Sequence, residues 1–206
     1  MDLKSTYNRI AEDWNEDHAN DQWWREGLEK FIFLFKSGAN ILDVGCGSGV
    51  KSEILEKKGM KVTGIDFSEK MLEIAKRRVS NGNFQLVDLY NLSDFHEKFD
   101  GIFAQAVLLH IPKKDVGEIV LSLKEKLNSG GYFYVAVKER RPGEGEEEIV
   151  KENDYGYEYE RFFSYFTMEE MKKYFFDAGL EIIYESVIHS GRRNWIQVIG
   201  KIGKVV

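Results

Sequence analysis

The sequence predicts an α/β fold in which helices cover both faces of a mostly parallel sheet. Short runs of apolar, β-branched and aromatic residues alternate with stretches whose apolar residues recur at helical spacing. The last two runs, 180–188 and 195–201, are joined by a short turn and therefore predict an antiparallel hairpin. A length of 206 residues, 43% of them hydrophobic, suits a single domain over residues 1–206.

Two helices are predicted ahead of the first strand, within residues 1–37. Apolar and aromatic residues recur at helical spacing from Tyr7 to Trp14 and again from Trp23 to Phe35. The chain therefore carries additional helices before its alternating part begins.

The alternating core occupies residues 38–138. Its predicted strands are 40–44, 60–66, 84–88, 99–105 and 132–137. Its predicted helices run from about 48 to 58, from Ser68 to the Asn81-Gly82 turn, and from about 115 to 127.

The composition changes abruptly after the core. Residues 139–166 contain an acidic run at 144–148 and several tyrosines, and we interpret them as a long excursion over the edge of the sheet. Residues 167–206 return to a regular pattern, with a helix at about 167–178 followed by the C-terminal hairpin.

A glycine-rich turn follows the first strand. Gly45, Gly47 and Gly49 lack the side chains that would keep a ligand away from the main chain. A helix starting near Ser48 would present free N–H groups to that ligand. Val50 stands where the dinucleotide fingerprint has its third glycine, so the spacing argues against a pyrophosphate.

Two further strands end in a carboxylate. Asp66 follows Gly45 by 21 residues, the distance at which an acid binds ribose hydroxyls. Asp88 ends the next strand and would accept from the amine of an adenine, with Phe67 and Leu89 as apolar covers. Each acid taken singly fits a turn or cap residue better. Together, behind a glycine turn, they indicate an adenosine ligand.

Five motifs in order resemble those of the class I S-adenosylmethionine-dependent methyltransferases. They are 42–49 (LDVGCGSG), 62–68 (VTGIDFS), Asp88, 99–100 (FD) with 107–110 (VLLH), and 127–131 (LNSGG). The resemblance implies a Rossmann-like, doubly wound sheet of seven strands with the last strand antiparallel. It also implies a methyltransferase whose cofactor is S-adenosylmethionine and whose product is S-adenosylhomocysteine.

The same resemblance assigns roles within the predicted site. It implies that Gly45 and Gly47 approach the methionine part of the cofactor. Asp66 would bind the ribose and Asp88 the adenine, while Asp43 would hold the turn or the amino group of the methionine. The remaining cofactor-binding candidates are Cys46, Gly49, Phe67, Leu89 and Gln105.

The opening of the chain, 7–14 (YNRIAEDW), resembles the start of small-molecule methyltransferases related to those of quinone biosynthesis. This resemblance implies that residues 1–37 form a helical lid, with Tyr7, Trp14 and Trp24 at the acceptor. The alternative is that these aromatic side chains only pack the helices onto the sheet.

The excursion at 139–166 would form a second wall of the acceptor site. Its substrate-binding candidates are Arg140, Arg161 and Tyr165. Five arginines either converge on an anionic acceptor or a phosphate backbone, or stay solvated. They are Arg140, Arg141, Arg161, Arg192 and Arg193.

Methyl transfer from a sulfonium requires two reactants held in line in a dry site, and no nucleophile from the protein. A base is needed only where the acceptor loses a proton, as a hydroxyl does. His110 is the candidate base, with a packed helix-start residue as the alternative, and Gln105 is expected near the methyl group of the donor or near the acceptor. Cys46 fits a small buried residue, and no spacing typical of a metal site occurs, so we expect a metal-free reaction.

Composition favours a small-molecule acceptor over a nucleic acid. A formal charge of −6 and a pI near 5.4 oppose non-specific attraction to phosphates. Residues 161–167 and Asn194-Trp195 nevertheless bear a faint resemblance to wobble-uridine tRNA methyltransferases, so an RNA acceptor stays open. Two further hypotheses are a protein that binds the cofactor without turnover and, more remotely, a nicotinamide dehydrogenase.

Cysteine content and hydropathy predict a cytoplasmic protein. The single cysteine excludes an intrachain disulfide, and no export leader opens the chain. No apolar run reaches the roughly 20 residues that cross a bilayer. We therefore expect no membrane partner, and a monomer or homodimer.

Overall fold

The computed structural model describes residues 2–191 and 193–203. Its helices are α1 (Leu3–Asp17), α2 (Arg25–Phe33), α3 (Val50–Lys57), α4 (Glu69–Arg78), α5 (Lys113–Lys124) and α6 (Met168–Asp177), with short 3₁₀ helices at Leu89–Asp94 and Leu108–His110. Its strands are β1 (Asn40–Val44), β2 (Lys61–Asp66), β3 (Asn83–Leu86), β4 (Phe99–Gln105), β5 (Leu127–Lys138), β6 (Glu147–Glu152), β7 (Tyr159–Ser164), β8 (Leu180–Ser190) and β9 (Arg193–Ile202).

Seven strands form one sheet in the order β3-β2-β1-β4-β5-β9-β8. The pairs from β3 to β5 are parallel, whereas β9 is antiparallel to both of its neighbours, β5 and β8. This confirms the doubly wound sheet with the last strand inserted antiparallel. Strand order reverses between β1 and β4, and ligands of such sheets bind at the carboxyl edge beside that point.

Apolar layers cover both faces of the sheet. On one face, Phe31 of α2 packs against Phe103 and Tyr134, whose rings stack 4.4 Å apart. On the other face, Phe175 of α6 stacks on Phe133 at 5.5 Å. Because helices cover both faces, β1 and β4 are buried along almost their whole length, as expected for central parallel strands.

The segment between β5 and α6 contains a second, two-stranded antiparallel sheet, β6–β7. The expected excursion is therefore a regular hairpin. Helix α1 lies against it, since Thr6 Oγ1 donates to the Glu160 carbonyl at 3.0 Å and Arg9 donates to the Glu158 carbonyl at 3.1 Å. The sequence analysis predicted no strand here because β6 (EEIVKE) is mostly charged and lacks a strand-like apolar pattern.

Two predicted boundaries around residues 113–132 are wrong by a few residues. Helix α5 begins at Lys113, directly after Pro112, and ends at Lys124 instead of near 127. Strand β5 begins at Leu127 instead of Tyr132, because Leu127 already pairs with Phe99 ahead of a shift in register. Neither difference changes which strand ends meet at the carboxyl edge.

Gly101 in β4 tests how closely the helices pack on the sheet. A Cβ there would lie 2.4 Å from Phe35 Cζ and 2.8 Å from Phe31 Cζ. We expect Gly101→Ala to lower the free energy of unfolding by about 1–3 kcal/mol, as overpacking does. The control is Gly117→Ala in α5, whose Cβ would meet Tyr174 at an ordinary 3.7 Å. It should be neutral or stabilising by about 0.5–1 kcal/mol in urea unfolding curves, and equal stability of the two variants would contradict the packing argument.

Candidate functional site

A cavity of about 320 Å³ opens at the carboxyl ends of β1, β2, β4 and β5. Its other walls come from α1, the segment between α1 and α2, the first turn of α3, α4, β7 and the β8–β9 hairpin. The predicted site residues that line it are Tyr7, Trp14, Trp24, Asp43, Gly45, Cys46, Gly47, Asp66, Phe67, Gln105, His110 and Arg161. Those that lie outside the lining are Gly49, Asp88, Leu89, Arg140 and Tyr165.

The glycines of the turn after β1 have different tasks. Gly47 has a φ of 52°, in the left-handed region, and a Cβ there would meet nothing closer than Trp14 at 3.8 Å, so its main chain is open to the cavity. Gly49 lies against α4, where a Cβ would be 3.0 Å from Ala75. Cys46 is buried beside them, and burial raises the pKa of its thiol. Gly49 therefore serves packing, while Gly47 provides access.

Asp66, at the end of β2, is buried, and each of its carboxylate oxygens accepts a hydrogen bond from the main chain. Its Oδ2 accepts from the Gly47 N–H at 2.9 Å and its Oδ1 accepts from the Ser68 N–H at 2.8 Å. Burial raises the pKa of Asp66 to about 6, against the lowering effect of these hydrogen bonds. A carboxylate offers about four lone pairs, so two remain for ligand hydroxyls.

Asp43 lies one strand away and is equally buried. Ser52 Oγ, in α3, donates to its Oδ2 at 2.6 Å. Burial raises the pKa of Asp43 to about 6, while Ser52 and the nearby Lys51 oppose the rise. Asp43 and Asp66 therefore give this end of the cavity two desolvated acids.

Lys51 is a site residue that the sequence analysis missed. It lines the cavity from the first turn of α3, and its Nζ lies 4.7 Å from the centroid of the Trp24 ring. Burial lowers its pKa to about 8, although Asp43 and Asp21 favour the charged form. The sequence did contain a signal for an anion-binding role, namely a lysine in the first turn of the helix that follows the glycine turn. The N-terminus of a helix and a cation both attract anions.

Two polar atoms at the cavity remain unpaired within the described part of the chain. They are Trp24 Nε1, a donor, and Gln105 Oε1, an acceptor. Leaving such a buried group without a partner costs about 1–3 kcal/mol. Both atoms are therefore unsatisfied polar groups in the wall of the cavity.

His110 is held in one tautomer by the protein. Its Nδ1 lies 2.8 Å from the Phe162 carbonyl, an acceptor, so Nδ1 carries the proton and donates. Its Nε2 then accepts from the Tyr7 hydroxyl at 2.8 Å, and Arg161 donates to the Tyr7 oxygen at 3.4 Å. Burial is the largest cause that lowers the pKa of His110 to about 3. The neutral imidazole therefore contributes stability that is present above pH 6.5 and is lost as the pH falls towards 3.

Only some of the arginines named in the sequence analysis line the cavity, and those that do form ion pairs with glutamates. Arg161 and Arg193 line the cavity. Arg161 donates from Nε and Nη2 to the two carboxylate oxygens of Glu152, each at 2.6 Å, and Arg193 pairs with Glu144 at 2.7 Å. The rest lie elsewhere: Arg140 pairs with Glu146 away from the lining, Arg141 is exposed, and Arg192 falls outside the described residues.

Tyr165, Asp88 and Leu89 have structural partners of their own. The Tyr165 hydroxyl donates to the Glu148 carboxylate, beneath the Arg193 guanidinium. Asp88 is exposed and accepts from the Tyr90 N–H at 3.0 Å as the cap of the 3₁₀ helix, and Leu89 is buried in the core. The adenine-binding role of Asp88 and Leu89 stays a prediction.

No helix in the described part of the chain combines the length and apolar character of a membrane span. Within residues 2–191 and 193–203, no three His, Cys, Asp or Glu side chains lie together as a metal site requires.

Residues 16–185 match a family profile described as a methyltransferase domain. Two curated relatives are described as ubiquinone biosynthesis O-methyltransferases. The one from Coxiella burnetii is 34% identical over 141 residues, and the one from Hydrogenovibrio crunogenus is 31% identical over 145 residues. The alignments cover 60% and 61% of this chain, and 59% of each relative. The chain thus spans about three-fifths of the length of these relatives.

Solved structures share the fold. The 1,6-didemethyltoxoflavin-N1-methyltransferase from Burkholderia thailandensis, with 1,6-didemethyltoxoflavin and S-adenosylhomocysteine bound, has a TM-score of 0.78 at 17% identity, covering 98% of this chain and 88% of that one. Magnesium protoporphyrin IX methyltransferase from Synechocystis PCC 6803, with S-adenosylmethionine bound, has a TM-score of 0.74 at 18% identity, covering 98% and 95%. At these identities the likeness concerns the fold alone.

The tautomer and charge of His110 can be measured directly. We expect a neutral imidazole with its proton on Nδ1 from about pH 5 to 8, because burial holds its pKa near 3. Long-range proton–nitrogen NMR spectra distinguish the two tautomers and the imidazolium. The His110→Gln variant identifies the signal among the four histidines. An imidazolium signal from His110 appearing near pH 6 would contradict the assignment.

Proposed function

This chain belongs to the methyltransferase domain family, and from that premise we propose that it transfers a methyl group from S-adenosylmethionine to a small-molecule acceptor. We propose further that the transfer is an in-line displacement without a metal. The observation that carries the proposal is the cavity at the carboxyl edge. It brings the acid-lined glycine turn and the Tyr7–His110 pair into one enclosed space.

The glycine turn and Asp66 form the proposed donor end. When bound, S-adenosylmethionine supplies a methyl group on a positively charged sulfur, and the C–S electron pair stays with the sulfur as S-adenosylhomocysteine forms. Asp66 would accept from the ribose hydroxyls with the lone pairs left by its two backbone hydrogen bonds. Gly47 leaves the main chain accessible to the methionine part.

Lys51, Trp24 and Asp43 suit the amino acid part of the donor. The ammonium of Lys51 lies over the Trp24 ring, whose Nε1 is an unpaired buried donor. A carboxylate at this point would pair with the Lys51 ammonium. The buried Asp43 carboxylate nearby favours an ammonium group. The three side chains therefore complement a zwitterion, which supports an amino acid part over a pyrophosphate.

Tyr7 and His110 form the proposed base for a hydroxyl acceptor. As the C–O bond to the methyl group forms, the acceptor oxygen becomes strongly acidic, so a base as weak as His110 is sufficient. The proton would pass to the Tyr7 oxygen while Tyr7 gives its own proton to His110 Nε2. The carbonyl of Phe162 would hold the resulting imidazolium through Nδ1–H. Gln105, which lines the same cavity, would pack near the acceptor.

Three observations favour a small molecule over an RNA acceptor. The cavity of about 320 Å³ matches a metabolite-sized ligand. The cavity arginines Arg161 and Arg193 are already paired with glutamates, which leaves little free positive charge for a phosphate backbone. The curated relatives described as ubiquinone biosynthesis O-methyltransferases support a hydroxyl acceptor as well.

The Lys51→Met variant tests whether Lys51 binds the amino acid part of the donor. We expect it to weaken S-adenosylhomocysteine binding at least tenfold, about 1.4 kcal/mol. The binding of 5′-methylthioadenosine, which lacks the amino acid part, should be unchanged. Asp66→Ala should weaken both ligands at least tenfold, because both contain the ribose. Calorimetry with each ligand measures these affinities.

The matched control is Lys57→Met, since Lys57 is an exposed lysine of the same helix, paired with Glu53 on the surface. Both ligands should bind this variant as they bind the wild type. Thermal unfolding of every variant distinguishes a lost contact from a lost fold. Equal loss of both ligands on Lys51→Met would contradict the assignment of Lys51 to the methionine carboxylate.

The activity itself is tested with donor labelled in its methyl group. We expect label in a small-molecule fraction of a metabolite extract and none in total tRNA, with the rate unchanged by chelators such as EDTA. His110→Ala and Tyr7→Phe should each lower the rate of a hydroxyl acceptor about 10²–10⁴-fold, the usual contribution of a base, at unchanged donor affinity. Label in tRNA instead would sink the small-molecule proposal.

A further inference from the structure

Lys138 is the last residue of β5, and its side chain lines the acceptor end of the cavity. Its Nζ lies 3.6 Å from the centroid of the Phe163 ring, a cation–π contact that fixes where the ammonium sits. No carboxylate oxygen of the described residues lies within the 4.0 Å of an ion pair with it. Lys138 thus differs from Arg161 and Arg193, which have Glu152 and Glu144.

The surroundings of Lys138 leave its charge uncompensated. Burial, and then the positive charges of Arg161 and Arg193, lower its pKa to about 8, and Glu152 and Glu148 offset this only in part. At neutral pH the ammonium is therefore still mostly charged while it is largely removed from water. A buried charge without a counter-ion is unfavourable, and an anionic group in the cavity would remove that cost.

Aromatic side chains line the same part of the cavity. Trp195 of β9 stacks on Trp23 at 3.9 Å with an interplanar angle of 19°, and both rings line the cavity together with Phe163. Aromatic faces favour flat ligands, which they contact over a large area. The polar group farther along the wall is the Tyr7 hydroxyl, held by His110 and Arg161.

We propose that Lys138 determines acceptor specificity by pairing with the carboxylate of a flat aromatic hydroxy acid. The inference rests on the proposed function, because it names the class of acceptor for the same site. The carboxylate binds Lys138 Nζ, the ring lies against the Trp195–Trp23 pair, and the hydroxyl that receives the methyl group points to Tyr7. Arg161 and Arg193 contribute less to this pairing, because their glutamates already satisfy them.

The test compares aromatic carboxylates with their primary carboxamides on protein saturated with S-adenosylhomocysteine. The probes are 3-hydroxybenzoate, 4-hydroxybenzoate and 3,4-dihydroxybenzoate, each beside its carboxamide, with affinity measured by calorimetry. In the wild type, we expect at least one carboxylate to bind tenfold or more tightly than its carboxamide. Lys138→Met should remove that preference, and Lys138→Arg should retain most of it.

The matched control is Lys201→Met. Lys201 also sits over an aromatic ring, with Nζ 5.4 Å from the centroid of Tyr132, but it lies outside the cavity lining. This variant should keep the full preference for the carboxylate. Affinity for S-adenosylhomocysteine should be the same in all four proteins, which excludes a general loss of the fold.

Three results would overturn the inference: no carboxylate binds the wild type, carboxylates and carboxamides bind equally, or Lys138→Met keeps the preference. Each of these can occur while S-adenosylhomocysteine binds normally, and the proposed function would then stand without the acceptor class. Failure of the wild type to bind S-adenosylhomocysteine would instead overturn the proposed function, and the inference with it.

Discussion

The buried carboxylate of Asp66 ties together the elements that enclose the cavity. One oxygen accepts from Gly47 in the turn after β1, and the other accepts from Ser68 at the start of α4. Ser68 Oγ in turn donates to Asn8 of α1 at 2.7 Å, so the N-terminal helix is positioned on the same point. Because these groups are buried, losing the carboxylate would leave several unpaired polar atoms at once. Burial raises the pKa of the Asp66 carboxyl, and the backbone hydrogen bonds oppose that rise.

Ion pairs at the β6–β7 hairpin determine how much free charge the opposite end of the cavity carries. The acidic run that argued against RNA has a structural task, because Glu144 pairs with Arg193, and Glu152 of the same hairpin pairs with Arg161. Net charge is thus a poor guide to this end of the cavity, since both of its arginines are neutralised by glutamates. What remains is Lys138, whose only close described partner is the face of the Phe163 ring.

The sequence was sufficient for the fold and for many of the residues that line the cavity, and much less so for its buried lysines. Strand–helix alternation, the glycine turn and the acids at strand ends are local patterns, so Asp43, Gly47 and Asp66 were identified from neighbouring residues. Lys51 and Lys138 were missed because their significance depends on burial and on which ions are already paired. The hairpin was missed for a related reason: the charged side chains of β6 have partners outside the strand, such as Arg161 of β7 for Glu152 and the Lys113 N–H for Glu147.

The two ends of the cavity are also arranged in a way that suits the loss of charge in methyl transfer. A carboxylate directly beside a sulfonium would stabilise the charged ground state more than the transition state, in which that charge is spread, and would slow the reaction. Both acids of the cavity are instead restrained by the protein, Asp66 by two backbone N–H groups and Asp43 by Ser52. They can therefore bind remote parts of the proposed donor, while neutral groups, Gln105 and the Tyr7–His110 pair, remain for the reacting atoms. Keeping the carboxylates away from the sulfonium is consistent with differential stabilisation of the transition state.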